Sequence, residues 1–269
     1  MKDLHDKVAV LTGAGGGVGA ALAAQLADKG CHLALVDINE SAVSRVAEEV
    51  AKTGVTVTTH CIDVTDKSQV EALRDAVLAQ HGSVNLLINN AGITYQKSFA
   101  THTIEDWERI VGINWWGVLY GCHYFLDALT RSGEGHIVNM SSMSAFAGLP
   151  TQTSYCATKG AVKLLSEAMW AEMEGLNIGV TSVHPGAIKT DMIQATLKNS
   201  DDIEAARRNY ELAQRIGVTP EHVAGRIIAA VEKNQMRIRV GKDAWLLEVL
   251  KRWFPVGVQK LLRRAVLQQ

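Results

Sequence analysis

The sequence predicts an α/β protein: a single doubly wound Rossmann-type domain, with a parallel sheet of about seven strands and a helical C-terminal extension. Three observations carry that expectation. Short β-rich runs alternate with longer helical patterns along the chain. The runs are near-continuously apolar, as strands covered on both faces must be. A glycine-rich turn follows the first strand, in the region beyond the carboxyl ends of the strands where such sheets bind their ligands.

The first strand is "KVAVLT" (7–12), followed by a helix over 17–30 that Gly30 ends. "HLALVD" (32–37) is the second strand, and the helix after it, 40–54, stops at Gly54. Residues 56–64 and 67–82 repeat the strand and helix, and "VNLLINN" (84–90) is the fourth strand. A long helix over 103–131 leads to a fifth strand at 136–142. The helical pattern of 153–174 precedes a sixth strand at 177–186, and a helix at 219–233 precedes "MRIRVG" (236–241). The charged stretch 191–217 reads as a mobile lid over the substrate. The expected organisation is a cofactor-binding catalytic unit over 1–242, with 243–269 as an amphipathic helical extension of the same domain.

Composition narrows the function. Of 269 residues, 47% are hydrophobic and 20% charged, which suits a sizeable core and argues against disorder. A formal net charge of −1 gives no reason to expect nucleic acid. The 4 cysteines (Cys31, Cys61, Cys122, Cys156) lie far apart, which fits reduced thiols in a cytoplasmic protein. No apolar leader segment or membrane-length run is evident. The 9 histidines lack ligand spacing, so no metal is expected.

The turn "TGAGGGVG" (12–19) lets the backbone approach a pyrophosphate, which then rests on a helix N-terminus. Asp37 ends the second strand beyond it. A carboxylate there accepts both ribose hydroxyls of NAD and repels the 2′-phosphate of NADP. Neither Ile38 nor Asn39 supplies a cation to offset that repulsion. The alternative is that Asp37 merely caps the next helix. NAD is therefore the expected cofactor.

These residues belong to an ordered set that resembles the short-chain dehydrogenase/reductase family from about Lys7 to about Val240. The set comprises Thr12, Gly13, Gly17, Val18 and Gly19; Asp37; Asp63-Val64; Asn89, Asn90, Ala91 and Gly92; Asn114; Ser142; Tyr155 and Lys159; and Pro185, Gly186, Ile188 and Thr190. The resemblance implies that Asp63 faces the adenine and that Asn90 and Gly92 lie along the adenine ribose. It implies that Ile188 and Thr190 hold the nicotinamide carboxamide, and that Asn114 interrupts its helix and holds a water linking Lys159 to solvent.

Tyr155 and Lys159 stand four apart and share one helix face. A free phenol has a pKa of about 10. A neighbouring ammonium and an oxidised nicotinamide both favour the phenolate. Tyr155 can then take the hydroxyl proton while hydride leaves the carbinol carbon, with Ser142 holding the substrate oxygen. Asn114, Ser142, Tyr155 and Lys159 form the expected catalytic set. Ser141 is the confusable neighbour of Ser142, and Cys156 reads as packing. Apolar residues in 143–153 and 191–197, with Tyr95 at the edge, favour a bulky or apolar secondary alcohol and its ketone, with no arginine there to clamp an anion. The alternatives are an NADPH-dependent 3-oxoacyl thioester reductase and a non-catalytic NAD-binding regulator. The resemblance implies a homodimer or homotetramer, with Trp115 and Trp116 on a subunit-facing helix. Pro255 should split 243–269 into two helices. This extension is expected to pack on the lid or a second subunit, with membrane-surface contact as the competing reading.

Overall fold

The computed structural model describes residues 1–190 and 200–267. Its first half alternates β1 (Val8–Thr12), α1 (Gly17–Asp28), β2 (His32–Asp37), α2 (Glu40–Ala51), β3 (Val57–Cys61), α3 (Lys67–His81) and β4 (Leu86–Asn89). The seven strands run parallel in the order β3-β2-β1-β4-β5-β6-β7, with β5 at Gly135–Met140, β6 at Ile178–Pro185 and β7 at Arg237–Val240. The chain builds outward from β1 to β3, then returns to the other side of β1 with β4. That reversal opens a crevice beyond Thr12 and Asn89.

Strand side chains alternate between two cores. Ala9 and Leu11 join Leu22, Leu26 and Ile227 on one face, while Val8 and Val10 join Leu73, Phe125 and Val162 on the other. Two-sided burial is why β1 and β5 are buried along their whole length. Strand β3 is an edge and only half-buried. It stops at Cys61, three residues short of the expected end, so Asp63 and Val64 fall in the turn before α3.

The expected helix over 103–131 is three pieces. Helix α4 (Ile104–Val111) begins with a capping box between Thr103 and Asp106. A π-helical turn, Gly112–Trp116, follows, and then α5 (Gly117–Arg131). Gly117 lets the helix settle onto Val64, because a Cβ there would stand 2.9 Å from the Val64 methyl. The turn directs Asn114 wholly into the interior.

Helix α6 (Thr153–Glu172) carries Tyr155 and Lys159. Part of the expected lid is helical: α7 (Ile203–Ile216) is capped by Asp202, while Asp201 accepts hydrogen bonds from the Ser98 N–H at 2.8 Å and from the Thr101 hydroxyl. The rest of that stretch, 191–199, lies outside the described residues, with the expected pocket-lining run 191–197. Helix α8 (Pro220–Glu232) packs on α1 and leads to β7. Two helices follow, α9 (Lys242–Trp253) and α10 (Pro255–Leu267), with Pro255 opening the second. Among the described residues, no helix is long and apolar enough to cross a membrane.

Candidate active site

A cleft of about 570 Å³ lies at the carboxyl ends of β1, β2, β4, β5 and β6. Its floor is the glycine turn. Gly13 has a positive φ of 66°, and a Cβ there would stand 2.9 Å from the Ala91 Cα. At Gly19, a Cβ would collide with the Gly13 carbonyl oxygen. The side chain of Asn90 braces this turn, donating to the carbonyls of Thr12 at 3.1 Å and Gly13 at 3.0 Å. Gly16 has open space where a side chain would stand, so the N-terminus of α1 faces the cleft.

The Asp37 carboxylate accepts the Gly15 N–H at 2.8 Å and the Asn39 N–H at 3.0 Å. It does not cap α2, since Asn39 does so by accepting the Ala42 N–H. Asp37 is instead drawn over the glycine turn at the rim of the cleft.

Tyr155 stands half-buried in the cleft wall. Burial pushes its phenol above the ordinary value, and the nearby Ser142 hydroxyl pulls it back. Lys159 Nζ lies 5.7 Å from the centre of the tyrosine ring and donates to the Met140 carbonyl at 2.7 Å. Burial holds the Lys159 pKa down at about 8. Gly92 makes room for this ammonium, since a Cβ there would stand 3.3 Å from Nζ and 3.2 Å from Asn114 Oδ1. The Asn114 amide grips the Ile93 backbone twice, accepting its N–H at 2.8 Å and donating to its carbonyl at 2.9 Å.

The two serines differ in place and contacts: Ser141 lines the cleft, and Ser142 stands behind it. Ser141 donates its hydroxyl to the Lys159 carbonyl at 2.8 Å and ties β5 to α6. Ser142 accepts the Ser144 N–H at 3.1 Å, and its hydroxyl donates to Ser144 Oγ at 3.3 Å. His184 holds the Ser142 backbone in place, with Nδ1 3.0 Å from its carbonyl oxygen and Nε2 2.9 Å from the Ser182 hydroxyl. Because the carbonyl can only accept, Nδ1 carries the proton. Burial lowers the His184 pKa to about 4 and keeps the ring neutral.

The cleft thus brings together Gly13, Gly17, Val18, Asp37, Asn90, Ala91, Gly92, Tyr155, Lys159, Pro185, Ile188 and Thr190. Gly19, Asn114 and Ser142 stand behind its surface. Val64 packs on Gly117, and the Asp63 carboxylate turns back to accept the Thr65 N–H at 2.9 Å. Tyr95 lines the cleft as expected. Thr94, Arg109 and Lys189 also line it without a motif to announce them. Asp243, at the start of α9, accepts the Ala187 N–H at 2.7 Å and props the Pro185–Thr190 segment. Nothing local in the sequence marks that contact, because 56 positions separate the two residues. Cys156 accepts the Leu149 N–H at 3.2 Å and anchors the loop before α6.

The cleft lies at the switch point of a parallel sheet and is lined by a tyrosine and a buried lysine above a glycine-rich turn. The family model described as short chain dehydrogenase matches residues 7–201, and the chain belongs to that family. An oxidoreductase of Mycobacterium tuberculosis, SadH, is 36% identical over 270 residues, covering 99% of this chain and 97% of its own. The oxidoreductase EphD of Mycobacterium bovis is 32% identical, covering 97% of this chain but 45% of its own. Among solved structures, a short-chain dehydrogenase/reductase from Burkholderia phymatum in complex with NAD superposes with a TM-score of 0.88 at 28% identity, over 96% of this chain and 97% of that one.

Proposed function

We propose that this protein is an NAD-dependent dehydrogenase that interconverts a bulky secondary alcohol and its ketone, with Tyr155 as the acid and base. The observation that carries the reading is that Tyr155 and the buried Lys159 stand together at one end of a glycine-floored cleft, with Ser142 just behind its surface. The cradle fits a dinucleotide, because a side chain at Gly13 or Gly19 would strike backbone where close approach is needed. Bound there, the nicotinamide supplies the hydride acceptor. The Asp37 carboxylate, already held by two N–H groups, keeps oxygen lone pairs for ribose hydroxyls and repels an added phosphate. That choice counts against an NADPH-dependent thioester reductase.

In the oxidative direction, Ser142 holds the substrate hydroxyl against Tyr155. Burial alone makes the phenol a poor base. The nearby ammonium of Lys159 lowers the cost of the phenolate, so Tyr155 would take the substrate's hydroxyl proton while a bound oxidised nicotinamide would take the hydride. Asn114 acts one step back: by clamping Ile93, it keeps Gly92 open beside Lys159 Nζ. The whole chain serves as one catalytic domain. It assembles as a homodimer or homotetramer through the face of the π-turn and α5, where Trp116, at the end of the turn and stacked on Tyr120 of α5, is 44% exposed.

The deciding experiment is Tyr155→Phe, assayed with NAD and a panel of secondary alcohols. NAD binding is retained while kcat falls by about 100-fold or more. Turnover within a few-fold of wild type refutes the assignment.

A further inference from the structure

The C-terminal extension turns an apolar face to solvent. Trp245, Leu246, Leu250, Trp253, Phe254 and Val256 are all exposed, Trp253 to 73%. At helical spacing, Trp245, Leu246, Leu250 and Trp253 fall on one side of α9. Ala244 and Glu248 fall on the other, where Ala244 is buried and Glu248 pairs with Arg237 and Arg239 of β7 at 3.0 Å each. Phe254 and Val256 flank Pro255, where α9 gives way to α10. That corner is fixed from within. Lys251 donates to the Pro255 carbonyl at 2.9 Å and to Gln259 Oε1 at 2.8 Å, and Gln259 donates to the Gly148 carbonyl at 2.6 Å. The extension is therefore pinned to the body of the protein while its large apolar side chains stay uncovered, the mark of a surface that meets a partner.

The charge around this face has one sign. Arg252, Lys260, Arg263 and Arg264 are exposed and, among the described residues, pair with no carboxylate. The extension has two acidic side chains, and both are spent elsewhere: Glu248 on β7, and Asp243 on the Ala187 N–H at 2.7 Å. Beside Trp245 and Leu246 a groove of about 900 Å³ opens along β7, and those two side chains line it together with Arg226 and Lys242. Arg226 and Lys242 are exposed and also unpaired among the described residues. Arg237 and Arg239 line the groove too, and the single charge of Glu248 offsets only one of them. Among the described residues no Asp or Glu lines it.

We propose that this face docks the protein on an anionic phospholipid surface. Trp253, Phe254 and Val256 enter the boundary between headgroups and acyl chains, the surrounding cations meet the phosphates, and the groove at Arg226 and Lys242 takes a headgroup. The contact is peripheral, since no described helix is long and apolar enough to cross a membrane. A second copy of the chain is the poorer occupant. In a two-fold contact the face meets itself, which sets its cations against their own copies with no free carboxylate to answer them. A lipid surface supplies both apolar depth and negative charge.

The test floats full-length protein with vesicles of phosphatidylcholine alone or mixed equally with phosphatidylserine. The protein rises with the mixed vesicles and binds the neutral ones at least about 10-fold more weakly. It is released at about 1 M salt, where the screening length shrinks to about 3 Å. Replacing Trp253→Ala together with Phe254→Ala weakens binding to mixed vesicles by about 10-fold or more, through lost apolar insertion. Arg263→Glu together with Arg264→Glu does the same through charge. Both pairs are exposed, so melting temperatures stay near that of wild type; if the aromatic pair alone unfolds the protein, the arginine pair decides. No binding to mixed vesicles, equal binding to both kinds, or binding that survives the charge reversal overturns the proposal. So does an aromatic variant that changes the assembly seen by sedimentation, because the face then belongs to a second copy.

Discussion

Replacing Lys159 with methionine tests the electrostatics of the site without any substrate. The folded protein holds this lysine at a pKa of about 8, against 10.5 for the free side chain, and desolvation is the cause. At about 1.4 kcal/mol for each tenfold loss of proton affinity, the charged ammonium costs the fold about 3 kcal/mol at neutral pH. Methionine removes that cost but also removes the hydrogen bond to the Met140 carbonyl, a loss of about 1.5–3 kcal/mol for a charged donor. The two nearly cancel, so absolute stability at one pH says little and the pH dependence says more. Between the two pKa values the unfolded chain binds the proton and the folded one does not, so stability rises with pH through that window. From about pH 7 to about pH 10, wild type should gain about 2.5 kcal/mol relative to Lys159→Met. In a chain of this length that is about 4 °C in Tm. Cys31 and Cys122, both pushed up to about 12 by burial, act in the opposite direction, because their thiols ionise first in the unfolded chain. They are common to both proteins and drop out of the difference. Thermal melts of ligand-free wild type and variant across this range provide the measurement. Parallel curves would refute the claim that Lys159 is held as a desolvated ammonium.

The cofactor site makes two further predictions. Asp37→Ala removes the carboxylate that repels a 2′-phosphate, so the ratio of NADP to NAD affinity should rise by about 10-fold or more, read by titration of each dinucleotide. Tighter binding of NADP than of NAD by the unaltered protein would defeat the role given to Asp37. Gly19→Ala drives a methyl into the Gly13 carbonyl. It should lower stability by about 1–3 kcal/mol in urea unfolding and abolish dinucleotide binding; a variant that binds normally shows that the turn yields more than its geometry implies.

Sequence alone determined the parallel sheet and the place of the glycine turn, and it pointed to the residues proposed to do the chemistry. Apolar runs buried on both faces leave a direct periodicity in the chain, and the pair Tyr155 and Lys159 is local to one helix. It also placed the break at Pro255, because a ring without an N–H acts on its own helix. Tertiary structure decided the rest. The π-turn at Gly112–Trp116 depends on Thr65 and Val64 pressing on two glycines from a distant turn. Spacing favours Ser142 over Ser141, but only packing shows that Ser141 lines the cleft while its hydroxyl bonds the α6 backbone. The resemblance puts Asp63 facing the adenine; only the tertiary structure shows that it lies in the turn after the edge strand β3 and accepts the Thr65 N–H. Arg109 and Asp243 carried no signal at all. Their surroundings are assembled from loops and helices far apart in the chain, and no spacing rule encodes a contact between segments whose separation is set only by how the whole sheet is wound.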